Sequence, residues 1–262
     1  MEQYEIPKQE GASRKEMLSA QGDGASKVFK GEGMFQATNE VYNESANLFA
    51  DVIKNHLSPE GVAMLADIGS YQGEFLTDVL DKLPEYAFDT IAVEMNENAL
   101  SYNSANQRVL AGAEKLPFEN NSIDIILCRN VLQWNSMEKQ KEIVRELARV
   151  VHKIAIVQHA GADDISPEEW RNAMDKVFDA KEISQVQRSG RFFSSAKELE
   201  DWMHDEKIQF KKVQEKTIEN LSDIFIEKYN LPENEALMMK NILGDKDYIQ
   251  QTTWIIFPSK QD

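Results

Sequence analysis

Residues 64–73, Met-Leu-Ala-Asp-Ile-Gly-Ser-Tyr-Gln-Gly, constrain the fold of this chain more than any other stretch. They read as a short apolar strand ending in an acid, then a glycine turn that opens a helix. A strand through a core would leave Asp67 at its carboxyl end, the edge at which an open α/β sheet binds ligands. Gly69 and Gly73 allow a tight turn and let the backbone pass close to a ligand. Phe75, Leu76, Val79, Leu80 and Leu83 then recur on a single helical face. The glycine spacing is G-x-x-x-G, not the G-x-G-x-x-G of a dinucleotide fingerprint. That disfavours an NAD-dependent oxidoreductase.

With Asp67 ahead of the first glycine, the stretch resembles motif I of the class I S-adenosylmethionine-dependent methyltransferases, D-x-G-x-G-x-G. Tyr71 stands at the middle-glycine position, as a tyrosine does in catechol O-methyltransferases. The resemblance implies an α/β, Rossmann-like, doubly wound sheet of seven strands, mostly parallel with an antiparallel last strand, plus helical cap insertions. It makes S-adenosylmethionine the expected cofactor, held by Asp67, Gly69, Ser70, Tyr71 and Gly73.

Later segments extend the likeness. Asp89–Met95 is a second β-rich run, ending in Glu94 at a distance that fits one βαβ unit. An acid there can accept hydrogen bonds from ribose hydroxyls, and Met95 can lie against adenine as a soft, polarizable contact. Leu110–Phe118 and Ser122–Trp134 look like the G-D-A-E-x-L-P-F…F-D-h-h-h signature of the family's small-molecule branch. This places Ala113 and Glu114 at the adenine. Gly112 stands where an aspartate is usual, so its contact is either missing or supplied by Glu114. Ile125–Cys128 would be the fourth strand, with Arg129 and Asn130 just after it over the methionine end of the cofactor. Gln133 and Trp134 would shape the acceptor site. A helix carrying Ile143, Val144, Leu147, Ala148 and Val151 should precede a fifth strand, Ile154–His159.

The chain divides into a flexible arm, 1–26, and a methyltransferase domain, 27–262. Within the domain, 27–60 would form amino-terminal cap helices, with Phe35 and Tyr42 as lid residues facing the substrate. Residues 62–160 would be the cofactor core, and 161–193 and 218–247 cap helices. Ser194–Glu198 opens a further helix with Leu199, Trp202 and Met203 on its face. Ile208–Thr217 and Tyr248–Phe257 would be the sixth and seventh strands.

Composition narrows the partners. At 262 residues, 42% hydrophobic, the chain suits one large domain with a cap, and no apolar run approaches a membrane span. The amino terminus lacks the pattern of a signal peptide, and the single cysteine, Cys128, can form no intrachain disulfide, so a cytoplasmic setting is expected. A net charge of −16 opposes nucleic-acid binding and favours a small-molecule acceptor. The sequence leaves the oligomeric state open.

The chemistry implied is in-line methyl transfer from a sulfonium, achieved mainly by holding donor and acceptor close and collinear. His159, at the carboxyl end of the fifth strand, is the candidate general base, with capping of a backbone carbonyl or lining of the pocket as the alternative. Asp/Asp/Asn ligands of the catechol-enzyme type are missing, so a metal-independent reaction is expected. Two other readings stay open: a malonyl-carrier-protein-like O-methyltransferase, suggested by Val131–Trp134 and Arg145–Val151, and a non-catalytic cofactor-binding module of the same fold.

Overall fold

The computed structural model describes residues 32–161, 195–219 and 248–259; the side chains of 32–43, Trp134 and Ile249 lie outside that description. The expected arm and nearly all of the two expected insertions also fall outside it.

A long helix, α1 (Glu32–His56), leads into β1 (Val62–Ile68), α2 (Glu74–Leu80), β2 (Ala87–Glu94), α3 (Glu97–Ser101), β3 (Gln107–Leu110) and β4 (Ile123–Arg129). A 3₁₀ turn at Leu132–Trp134 follows, then α4 (Met137–Val150), β5 (Val151–Gly161), α5 (Ala196–Asp205), β6 (Phe210–Glu219) and β7 (Tyr248–Ile256). The strands form one seven-stranded sheet in the order β3-β2-β1-β4-β5-β7-β6. Pairings among β1 to β5 are parallel, and β7 runs antiparallel to both β5 and β6. The expected doubly wound sheet is therefore present. Strand order reverses between β1 and β4, which puts a ligand crevice at their carboxyl ends.

Several boundaries differ from the sequence reading. Val151 ends no helix: it caps α4 and is already the first residue of β5. Arg129 is the last residue of β4 rather than the first after it. Gly161 belongs to β5, and Ile218 and Glu219 belong to β6, so neither expected insertion starts where the sequence suggested. Backbone pairing to β7 carries β5 and β6 beyond their apolar runs.

Strand alternation sorts the core into two layers. Leu65, Ala92, Ile125, Leu127 and Ile156 pack with Phe49 and Ile53 of α1, Phe75, Leu76 and Val79 of α2, and Leu100 of α3. Ala66, Ile68, Val93, Ile126, Val157 and Trp254 pack with Ile143, Val144 and Leu147 of α4 and with Leu199 and Met203 of α5. Phe49 meets Phe75 edge to face at 5.0 Å, worth about 0.5–1.5 kcal/mol beyond burial. Helix starts are secured locally: Asn96, Ser136 and Ser195 each accept a hydrogen bond from the third residue on.

Candidate active site

The glycine turn grows directly out of β1. The amides of Gly69 and Ser70 both donate to the Val93 carbonyl of β2, at 2.8 and 3.0 Å, and Gly73 N donates to Ser70 O at 2.9 Å. Gly69, Tyr71 and Gly73 all take left-handed conformations, with φ of 70°, 48° and 92°. Tyr71 therefore follows a path that glycine adopts most easily.

A Cβ on Gly69 would lie 2.4 Å from Val131 Cγ2, and one on Gly73 would lie 2.9 Å from the Asn103 amide. The sequence attributed these glycines to a tight turn, which their left-handed φ values bear out, and to ligand approach. In the structure, the atoms that exclude a side chain belong to the protein itself. Val131 follows β4, so the turn after β4 is packed onto the glycine turn. Asn103, buried, donates from Nδ2 to Ser70 Oγ (3.2 Å) and Tyr71 O (3.4 Å), while its Oδ1 accepts from Ala105 N at 3.0 Å. It braces the turn from below. No motif in the sequence marks Asn103, which reads as an ordinary loop asparagine.

Three ionisable groups share the face covered by α1 and α2. In register, Asp67 stands beside Ala92 and Leu127, two residues short of Glu94 and Arg129 on the flanking strands. Alternation sends Asp67, Glu94 and Arg129 to the side of Leu65, Ala92 and Leu127. Arg129 lies over the Phe75 ring at 5.0 Å. Asp67 is buried, and its Oδ2 has no hydrogen-bond partner among the described residues. Burial, first, and then the negative Glu94 and Glu74 push its carboxyl up to about 8, against the pull of Arg129.

Glu94 Oε2 accepts from Tyr71 N at 3.0 Å, and Oε1 accepts from Met95 N and Asn96 N at 2.8 and 2.9 Å. A carboxylate offers about four acceptor sites, so Glu94 fixes the turn and keeps capacity for a ligand hydroxyl. Met95 beside it is 75% exposed, an apolar surface open at the sheet edge.

Glu114 folds back over Gly112: its Oε2 would lie 2.5 Å from a Cβ built there. Its carboxylate thus fills the space of the side chain that residue 112 lacks. Lys139 of α4 holds it at 2.8 Å, and that hydrogen bond is the main reason its carboxyl sits below the usual range. Ala113 lies in the same turn, half-buried and packed against the second core layer.

The residues after β4 form the other wall. Asn130, left-handed at φ 55°, and Gln133, buried, each carry a buried amide oxygen without a partner among the described residues. Buried acceptors without a protein partner are uncommon in folded proteins. The Trp134 backbone closes the turn. Phe35 and Tyr42 lie on α1, and their side chains, like that of Trp134, are outside the described residues.

His159 does not join this group. It lies inside β5, opposite Thr252 of β7, with no exposure and its ring 6.0 Å from Trp254. Alternation sends it to the face of Val157, opposite that of Asp67 and Arg129. Burial pushes its pKa down to about 4. Its neighbour Gln158 takes the face of the charged cluster instead, accepting from Ser45 Oγ of α1 at 3.0 Å and donating to Thr253 Oγ1 at 3.2 Å. Strand parity could have indicated this from the sequence, since Gln158 and His159 must face opposite ways.

Among the described residues, no three His, Cys, Asp or Glu side chains are grouped to hold a metal ion. No described helix is long and apolar enough to cross a membrane.

The family model described as a methyltransferase domain matches residues 66–157, from β1 through β5. No curated protein matches the chain. The YcgJ protein of Bacillus subtilis is similar in structure, with a TM-score of 0.58 and 17% identity over 83% of this chain and 99% of that one. A putative sarcosine dimethylglycine methyltransferase from Galdieria sulphuraria gives a TM-score of 0.54, with 12% identity over 85% of each chain. Phosphoethanolamine N-methyltransferase 2 of Haemonchus contortus, solved with S-adenosyl-L-methionine, gives 0.52, with 14% identity over 81% of this chain and 53% of that one. At these identities the likeness is one of fold.

Proposed function

We propose that this chain, which a methyltransferase-domain model matches over residues 66–157, is a class I S-adenosylmethionine-dependent methyltransferase that moves a methyl group to a small-molecule acceptor by in-line, metal-independent transfer. The observation that carries this reading is the convergence of the glycine turn, Asp67, Glu94 and Arg129 at the carboxyl ends of β1, β2 and β4. These residues suit S-adenosylmethionine: an orphaned buried carboxyl for a cation, a carboxylate with spare acceptor capacity for ribose, and exposed Met95 for adenine. When bound, the cofactor supplies a methyl group on a sulfonium, already a good leaving group.

The protein's part is then positioning. Gly69, Ser70, Tyr71 and Gly73, braced by Asn103, give the turn its shape. Ala113 and Glu114 flank the adenine side, and the positive charge of Arg129 opposes the upward push on the Asp67 carboxyl. Gln133, with Trp134, Phe35 and Tyr42, belongs to the acceptor side, and its buried amide oxygen would meet a donor hydrogen there. His159, neutral and on the opposite face of β5, serves as a supporting residue rather than as a base at neutral pH.

A small molecule is favoured over nucleic acid by the net charge of −16, and the single cysteine, buried in β4, suits a cytoplasmic setting. The test is methyl transfer from labelled S-adenosylmethionine into fractionated cell extract. Label in the small-molecule fraction supports the proposal. Label only in nucleic acid or protein, or none above an inactive control, overturns it.

A further inference from the structure

Asp67 has a surrounding that cofactor holding alone does not explain. Its carboxyl is buried, one oxygen has no partner among the described residues, and two acids face it, Glu94 from β2 and Glu74 from the first turn of α2. Arg129 on β4 is the cation facing it, and the buried Cys128 thiol, also on β4, lies within its electrostatic reach. An ionised carboxylate here would be desolvated and repelled from two sides. A neutral one offers a cationic ligand no compensating charge of its own, with Arg129 opposing Glu94 and Glu74 around it.

We propose that binding of the cofactor's cationic end displaces one proton from the Asp67 carboxyl to solvent. The inference rests on the methyltransferase reading and adds a linkage to it: cofactor affinity is set by pH through a single buried group. The carboxyl loses its O–H proton to the buffer, and the resulting carboxylate is compensated by the incoming positive charge. No covalent bond to the ligand forms. Two groups on S-adenosylmethionine are cationic, the ammonium and the sulfonium; S-adenosylhomocysteine keeps only the ammonium. In the free protein burial and the two acids push the carboxyl up to about 8. Affinity should therefore rise up to roughly tenfold per pH unit below 8 and level off above it.

The experiment is titration calorimetry of the whole protein with each ligand, from pH 6.5 to 9.5, in buffers of differing ionisation enthalpy. The number of protons released is compared between wild type and Asp67→Asn, so that the ligand's own ionisation cancels. The expected difference is most of one proton at pH 7, about half at pH 8 and little above pH 9. Release with both ligands assigns the effect to the ammonium, and release with S-adenosylmethionine alone assigns it to the sulfonium. Should Asp67→Asn fail to bind, Glu74→Gln replaces it: removing a negative neighbour should move the release to lower pH. Binding with no proton difference and no shift in Glu74→Gln overturns this inference alone. No binding of either ligand overturns the methyltransferase reading, and this inference with it.

Discussion

Gly69→Ala probes the packing of the two turns against each other. The substitution places a Cβ 2.4 Å from Val131 Cγ2 in a backbone held at φ 70°. A non-glycine residue in the left-handed region costs about 1–2 kcal/mol. Overpacking against a fixed neighbour adds about 1–3 kcal/mol. The single variant should therefore lose roughly 2–5 kcal/mol, unless the two turns separate, in which case the cofactor cradle opens and affinity falls instead. Val131→Ala removes the clashing methyl. Alone it costs about 0.5–2 kcal/mol, since Val131 is only half-buried. Together the two changes should be less harmful than their sum by about 1–3 kcal/mol, because only the backbone penalty and the lost valine contacts remain. Urea midpoints at constant m-value report the stability coupling, and S-adenosylhomocysteine titration reports whether affinity recovers in parallel. Additivity within about 0.5 kcal/mol in both readouts would refute the claim that Val131 is what demands glycine at 69.

Glu94→Ala should weaken cofactor binding by about 1.5–3 kcal/mol, and it should also lower the melting temperature of the free protein, since Tyr71, Met95 and Asn96 lose their acceptor; unchanged values on both counts would sink the double role. Asn103→Ala should loosen the glycine turn, detected as faster amide exchange at Ser70–Gly73 together with weaker ligand binding, whereas wild-type exchange would mean that the turn holds itself. For His159 the folded pKa of about 4 lies below the ordinary 6.5, so the unfolded chain binds more protons between those values. Stability should thus be full above pH 6.5 and fall as pH drops towards 4, with a ceiling on the order of 3 kcal/mol, and His159→Gln should flatten that slope. The same variant should keep turnover within about tenfold, against the roughly 10²- to 10⁴-fold loss expected of a general base; a loss of that larger size would restore His159 to the chemistry.

The fold was legible because its parts are local. An apolar run, an acid and a glycine turn specify β1 to α2 within some twenty residues, and the acid at 94 follows one βαβ unit later. Glu94 and Asp67 could be identified because strand ends are where charge appears after apolar runs. What escaped the sequence depends on long-range contacts. Asn103 braces a turn some thirty residues earlier, and Val131 presses on Gly69 from three strands later in the chain. Gln158 reaches Ser45 of α1 across a separation of 113 residues. No periodicity encodes such meetings. The case of His159 differs: histidine chemistry drew attention to it, while strand parity, already present in the sequence, sends it to the other face.

The central claim is that the carboxyl edge of β1, β2 and β4 is a site for S-adenosylmethionine, and direct titration of the purified protein tests it. With S-adenosylhomocysteine as the stable ligand, saturable heat at one site per chain is expected, lost in Gly69→Val while that variant remains folded by circular dichroism. NAD should give none. Saturable binding of NAD with no heat from S-adenosylhomocysteine would contradict the account, and so would undiminished S-adenosylhomocysteine binding in the folded Gly69→Val variant.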